Sequence, residues 1–543
     1  MQVAQKNMKH KTGRLYGCGL VALCFGFWLA VTPVVMSQTI IRNFPGVNST
    51  NVYVGTPPDT MGAIGTNQFA QLINGAFAVY SRDGQRQLLL TDSNFWTRGG
   101  IDPAPLTSGL TDTRLIFDPL SARWFATELT LADYTYSNLL MLARSDTADP
   151  AGTWKALVVA TNNGDSGSPT GFFDFDTLGV DSNGVYISVN NLTPDRNGNT
   201  VSDSLYSIPK ADLIAATPSL ARMSKFTSLN PTDYGYTMQL DSSTTGGPTE
   251  KLVSIDSTGY NFIDVTTLSN TAAAGAALST AVHVPVQYDG FPNNIVQPGG
   301  SAVPIDPATH WFQSASKLVG TNLFLVRHIG WNGHDAIDWI VLDVLSNSVV
   351  AEGVISDSNY DFSYPSIAVN QRGDIVTVFC RSGSNSPAGN MSLYGAVGKI
   401  ANRTVTMGAP FLIQQGTTSG FYIDYDTPPY RWGDYSATQV DPTDDQLFWT
   451  VNEIALETNI WHTQITLLSL NTNRPALTLS RTGTNVLVSW PLSADPAYGL
   501  EMKTNLTAAG VWLAVTNHAV AVRNQNQVTL PESKKSLYFR LKK

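Results

Sequence analysis

One pattern recurs along this chain and limits what it can fold into. A hydrophobic residue is followed by Asp, Gly or Asn, then by a turn and a β run. The pairs are Ile64-Gly65, Phe117-Asp118, Val180-Asp181, Leu240-Asp241, Ile305-Asp306, Val369-Asn370 and Val440-Asp441, about 53 to 71 residues apart. Self-similarity of this kind marks a repeat architecture. After the pairs come runs such as Arg123-Trp124-Phe125-Ala126, Gly184-Val185-Tyr186-Ile187-Ser188, His310-Trp311-Phe312 and Asp374-Ile375-Val376-Thr377-Val378. Further strands are visible at Asn138–Ala143, Asn322–Val326 and Thr463–Leu467. A unit of four short strands is one small sheet. It cannot bury both faces alone, and packing such sheets around an axis solves this. Residues 38–470 are therefore expected to form a β-propeller of about seven blades, with six or eight as alternatives because the unit at Leu240 is weak. Thr39-Ile40-Ile41-Arg42 is expected to close the ring by joining the last blade.

Composition agrees with an all-β fold. Gly, Ser, Thr, Asn and Asp are abundant, and helical periodicity is visible only at Lys210–Ala216. Beyond Leu470 the character changes. Asn471-Thr472-Asn473-Arg474-Pro475 reads as a linker. Six short alternating strands follow within 471–543, which predicts a small C-terminal β-sandwich.

The first 37 residues read as a secretory signal. Lys6, Lys9, Lys11 and Arg14 precede an uncharged apolar run from Leu15 to Val35, and cleavage is expected after Ser37. The expected location is outside the cell or at its surface, including a periplasm, with no membrane span after cleavage. Four of the 33 basic residues and none of the 42 acidic ones lie in this leader, so the formal charge of −9 becomes −13 without it. Such a balance argues against a nucleic-acid partner. One cysteine remains, Cys380, in the strand pattern Ile375–Cys380, and it reads as a buried thiol.

In a propeller the first strand of each blade is innermost, so the loop leading into it opens on the central axis. A few residues before the repeated pairs stand Asp59, Asp112, Asp174 with Asp176, Asp233, Asp361 and Asp434; the unit before Ile305 lacks one. Arg114, Tyr364, Arg431, Trp432 and Tyr435 come from the same loops. Three readings compete. The carboxylates fix turns by accepting backbone N–H groups. They gather a hard cation or another ligand at the channel mouth. Or they catalyse, one as acid and one as base or nucleophile in glycan chemistry, with Asp59, Asp434 and Glu453 as the pair-forming groups and Tyr435 beside them.

Asp195-Arg196-Asn197-Gly198-Asn199 through Asp203 places oxygen donors as a calcium loop does, at Asp195, Asn197, Asn199 and Asp203. Its glycine is misplaced for an EF-hand, and a polar hairpin tip is the alternative. No cofactor is required by any motif, and Ca2+ is the candidate ion. Nucleophile-elbow, zinc-protease, phosphate-loop and dinucleotide fingerprints are all missing.

Several stretches resemble a group of secreted bacterial propeller proteins of uncharacterised activity. They are Pro57–Gly65, Phe117-Asp118-Pro119 with Arg123-Trp124-Phe125, Thr177–Asp181 and Arg431–Tyr435. More distantly the segment is similar to sialidase or BNR-type propellers, although their Ser-x-Asp-x-Gly-x-x-Trp boxes survive only as echoes such as Val180–Tyr186. The tail, through Trp490-Pro491, Trp512 and Tyr538–Leu541, resembles the C-terminal module of large secreted proteins of environmental bacteria. The resemblance of the tail implies an accessory or surface-associated role and no chemistry. From the mouth residues, the leading expectation is an exported propeller that binds an extracellular polysaccharide or a surface partner. The alternatives are a glycan hydrolase or lyase, and a structural cell-surface protein.

Overall fold

The computed structural model describes residues 38–542 apart from 52–56, 132–137, 163–171, 193–199, 243–248, 258–260, 289, 300–302, 419–427, 471–474, 492–497, 506–510, 523–524 and 533–535. The leader and most of the expected linker lie outside the described residues. So do Asp195, Asn197 and Asn199.

The protein is an all-β propeller followed by a small β-sandwich. Among the described residues of 39–469 there are seven antiparallel sheets of four or five strands. Their first strands are Gly62–Ile64, Leu110–Asp118, Phe172–Val180, Tyr236–Gln239, Lys317–Val319, Asp361–Val369 and Ala437–Asp441. Each first strand packs against those of neighbouring sheets, and Gly62–Ile64 meets Ala437–Asp441, so the succession returns on itself. The outermost strand of the seventh sheet is Thr39–Asn48, which pairs antiparallel with Ile460–Ser469. The start of the propeller is thus stitched to its end, as expected from Thr39–Arg42.

The repeated pairs now have a cause. Asp118 accepts the N–H groups of Leu120 and Ser121 at 3.1 and 3.2 Å. Asp181 accepts those of Asn183 and Gly184, both at 2.7 Å. Asn370 accepts Arg372 and Asp374, and Asp441 accepts Thr443. Each side chain turns the chain from the first strand into the second by satisfying N–H groups two to four residues ahead. This local hydrogen-bond requirement recurs in four of the seven sheets and helps make the period readable; in the fourth, Asp241 accepts the distant Leu318 N–H instead.

Ile305 breaks the series. It makes isolated bridges to Ile295 and Tyr430 and belongs to no first strand. The fifth sheet begins instead at Lys317, and His310-Trp311-Phe312 is no strand. Phe312 is fully buried under the Arg327 guanidinium, and Trp311 packs edge-on to Phe175 and Tyr236. These apolar side chains fill space between sheets without a ladder partner, so hydrophobicity alone misleads here. Helix forms at Lys210–Ile214 as expected, and also at Asp92–Gly99, where Thr91 caps the N-terminus and Gly100 adopts the left-handed C-cap.

Cys380 is buried as a free thiol. Desolvation, then the nearby Glu453, push it up and out of the reactive range. In the tail, one sheet of four strands and one of three enclose Val488, Trp490, Leu500, Val528 and Leu530. No helix among the described residues is long and apolar enough to cross a membrane.

Candidate ligand site at the channel mouth

The first strands do not run straight to the axis. Register irregularities interrupt the first ladder between Thr111 and Thr113, Asp174 and Thr177, and Ser363 and Ser366. At or beside these points Asp112, Phe175 and Tyr364 take positive φ values of 55°, 49° and 51°, and Asp59 takes 44° in the loop leading to the first sheet. A bulge re-aims side chains that would otherwise follow strict alternation. Left-handed non-glycine residues cost free energy and persist only where their surroundings hold them.

The outcome is a group of three carboxylates. Asp112 of the second sheet and Asp59 and Asp434, from the loops leading into the first and seventh, bring one oxygen each within 4.8 Å of one another. Asp59 is 2% and Asp112 4% exposed, whereas Asp434 is partly open. Asp59 accepts the Asp434 N–H at 2.9 Å and the Asn74 side-chain amide at 2.7 Å. Asp112 accepts the Phe175 N–H at 2.7 Å. Arg431 forms an ion pair with Asp434 and is itself partly open. Burial, then the charge of Asp434, hold Asp112 up at about 6. The same two causes, in the same order, raise Asp59 well above the usual carboxylate range. Asp174, partly open beside them, is raised by burial and then by Asp112 and Asp434. Asp434, followed by Asp59 and Asp306, stabilises the Arg431 cation further.

Beneath this group lies Arg114. Its Nε donates to the Asp176 carbonyl at 2.6 Å, and an Nη to the Gln313 carbonyl at 3.4 Å. Its guanidinium carbon sits 3.6 Å from the ring centre of Tyr435 and 5.0 Å from that of Phe175. Arg114 therefore reaches across the axis from the second sheet to residues of the third and seventh. The Tyr435 hydroxyl accepts the Thr113 N–H at 2.7 Å. Arg114 also lines a small cavity of about 40 Å3, together with Met61, Gln239, Ser436 and Gln439.

The remaining sequence candidates separate. Asp176 is fully buried, bonded by Thr127, and raised by burial to about 7. Asp361 accepts Val296 and Asp335 N–H groups and the His334 ring, away from the carboxylate group. Tyr364 is buried, with its hydroxyl on the Asp306 carbonyl. Trp432 is 1% exposed and belongs to the core. Glu453 lies close to it, 3% exposed, with neither carboxylate oxygen hydrogen-bonded; burial and then Asp59 raise it. Asp203, in the third sheet, accepts the N–H of Met238 in the fourth at 3.1 Å, and burial raises it to about 8.

Two contributors escaped the sequence reading. Asn74 holds Asp59 from the hairpin turn Asn74-Gly75, and its own N–H bonds the Pro58 carbonyl. The Asn-Gly pair signals a tight hairpin; nothing in it signals a second role at the axis. Gln313 accepts Arg114 through its backbone carbonyl, just after the His310-Trp311-Phe312 run that reads as a strand and forms none.

No protein-family model and no curated protein sequence matches the chain. Solved structures of propeller type align loosely. A protein of unknown function from Dyadobacter fermentans is 9% identical over 66% of this chain and 93% of its own, with a TM-score of 0.37. The polysaccharide lyase Uly1 is 10% identical over 64% and 88%, with a TM-score of 0.32. The β-propeller domain of the trilobed protease from Pyrococcus furiosus is 6% identical over 69% and 95%, with a TM-score of 0.27. The class of this protein rests on its own sheet topology: a β-propeller with an acidic channel mouth.

Proposed function

We propose that this is an exported propeller that binds an extracellular ligand at the mouth of its channel, with polysaccharide or a cell-surface partner as the ligand class. The observation that carries the reading is the convergence of Asp59, Asp112 and Asp434 beside the partly open Arg431. Three carboxylates so close repel each other, and a hard cation offsets that repulsion. Calcium takes oxygen donors at about 2.3–2.6 Å, so donors on opposite sides of the ion lie about 4.6–5.2 Å apart. A separation within 4.8 Å suits that sphere. A bound Ca2+ would leave positions for hydroxyl or carboxylate oxygens of a glycan, and Arg431 would meet an anionic group. Export is inferred from the leader pattern, and the glycan class from the carboxylates and the arginine at the mouth.

The test is a glycan array probed with and without chelator, using wild type and Arg431→Ala. Calcium-dependent hits weakened by the substitution support the reading. A blank array under both conditions overturns it. A second reading, hydrolase or lyase action, is favoured by one observation: Asp112 is held at about 6 beside Asp434, which suits proton transfer near neutral pH. Release of shortened or unsaturated sugars from bound glycans would select it.

A further inference from the structure

The fourth sheet carries a second group that no motif announced. Its strands Thr249–Ile255, Phe262–Ser269 and Val282–Pro285 lie side by side. Asp264 is opposite Ser254 on one neighbour and His283 on the other. Asp256 follows two residues after Ser254, so alternation brings Asp256, Asp264 and His283 to one face. The His283 Nδ1 is 2.6 Å from Asp256 Oδ2 and 2.7 Å from Asp264 Oδ1. One oxygen of each carboxylate and a ring nitrogen lie within 4.8 Å of one another.

Hydrogen bonding alone does not account for this arrangement. A ring nitrogen carries at most one proton, and it points at Asp256. Asp264 has no exposed side-chain surface, and its Oδ1 competes with Asp256 for the single His283 Nδ1 proton. A buried carboxylate left so is costly unless something else meets it. The backbone also makes room. Gly235 has φ of +68°, and a Cβ there would stand 2.9 Å from Asp264 Oδ2. His283, in contrast, is 48% exposed and free to swing outward.

We propose that Asp256, Asp264 and His283 form a binding site for a divalent transition metal, with Zn2+ the best fit. Two carboxylates and one imidazole are a borderline donor set that zinc takes readily. Tetrahedral Zn2+ with bonds near 2.0–2.2 Å sets its donors about 3.3 Å apart. The two short nitrogen–oxygen distances would open by roughly 0.6 Å to reach that spacing, a movement the half-exposed ring can supply. Three protein ligands leave the fourth position to water or a small anion on the solvent side of His283.

The test uses purified protein stripped with chelator, then titrated with Zn2+ by calorimetry and with Co2+ by visible absorption. Expected are one Zn2+ per chain, Co2+ bands of a four-coordinate nitrogen–oxygen site, and at least a tenfold loss of affinity in His283→Ala. His283 is on an outer strand and half exposed, so the variant should fold; its circular dichroism and melting curve check this. A second variant, Asp445→Asn at a half-exposed surface carboxylate outside both groups, should leave Zn2+ affinity unchanged. No Zn2+ uptake, or equal uptake by wild type and His283→Ala, would show that the three residues form only an ion-pair cluster.

Discussion

The two ends of the propeller's first strands use the same residue for different work. At the turn end, Asp118, Asp181 and Asp441 each bond N–H groups within three residues of themselves. At the mouth end, Asp59 bonds Asp434, 375 residues away, and Asp112 bonds Phe175, 63 residues away. The first set closes a local turn and is finished. The second joins neighbouring sheets and leaves three carboxylates facing one another. Recurrence of an aspartate in a repeat protein is therefore a statement about backbone; convergence of several is a statement about charge.

The largest break in this comparison should come from Trp432→Ala. This tryptophan follows Arg431 directly and stands two residues before Asp434, yet it is core. Truncation should cost about 3–5 kcal/mol in denaturant unfolding; a loss under 1 kcal/mol would mean that the side chain faces the ligand instead. Next comes Asp181→Ala. It removes bonds to two N–H groups and to the buried Tyr186 hydroxyl, so about 2–3 kcal/mol should be lost, with no change in ligand binding.

A smaller effect sharpens the electrostatic side. Asp176, Asp203 and Asp335 are raised to about 7, 8 and 8, chiefly by burial. Folded protein keeps protons there that the unfolded chain has released above its ordinary carboxylate range. The stability these groups contribute is fully present below about pH 4, where the unfolded chain is protonated too; it is lost progressively as pH rises from there to about 7–8, and is constant above. His328 acts oppositely, since burial lowers it to about 4, but its effect falls below about pH 6.5. The melting temperature should therefore fall between pH 6.5 and 8.5, and a flat or rising profile would count against buried neutral carboxyls. The smallest expected change is in stability for Asp434→Asn: within about 1 kcal/mol, because the Arg431 pair is partly solvated.

Much of the architecture was legible because it is local. The turn aspartates, the strand alternation and the N-terminal strand that completes the seventh sheet all follow from short-range pattern. Ile305 was misread because a hydrophobic-Asp pair also occurs in a connecting segment, and only a ladder partner tells the two apart. Of the mouth, the residue types were legible and their grouping was not. Asp361 stands at the start of a first strand like its counterparts, yet His334 and Asp335 of the adjoining sheet hold it elsewhere. The zinc-type group of the fourth sheet was invisible because its three members are 8 and 19 residues apart and meet only through strand register.

The difference between the two ends is tested most directly by Ca2+ calorimetry at pH 7.5 on wild type, Asp112→Asn and Asp181→Asn. Saturable binding to wild type, retained in Asp181→Asn and weakened at least tenfold in Asp112→Asn, is the expected result. No binding to wild type, or equal weakening in both variants, would contradict it.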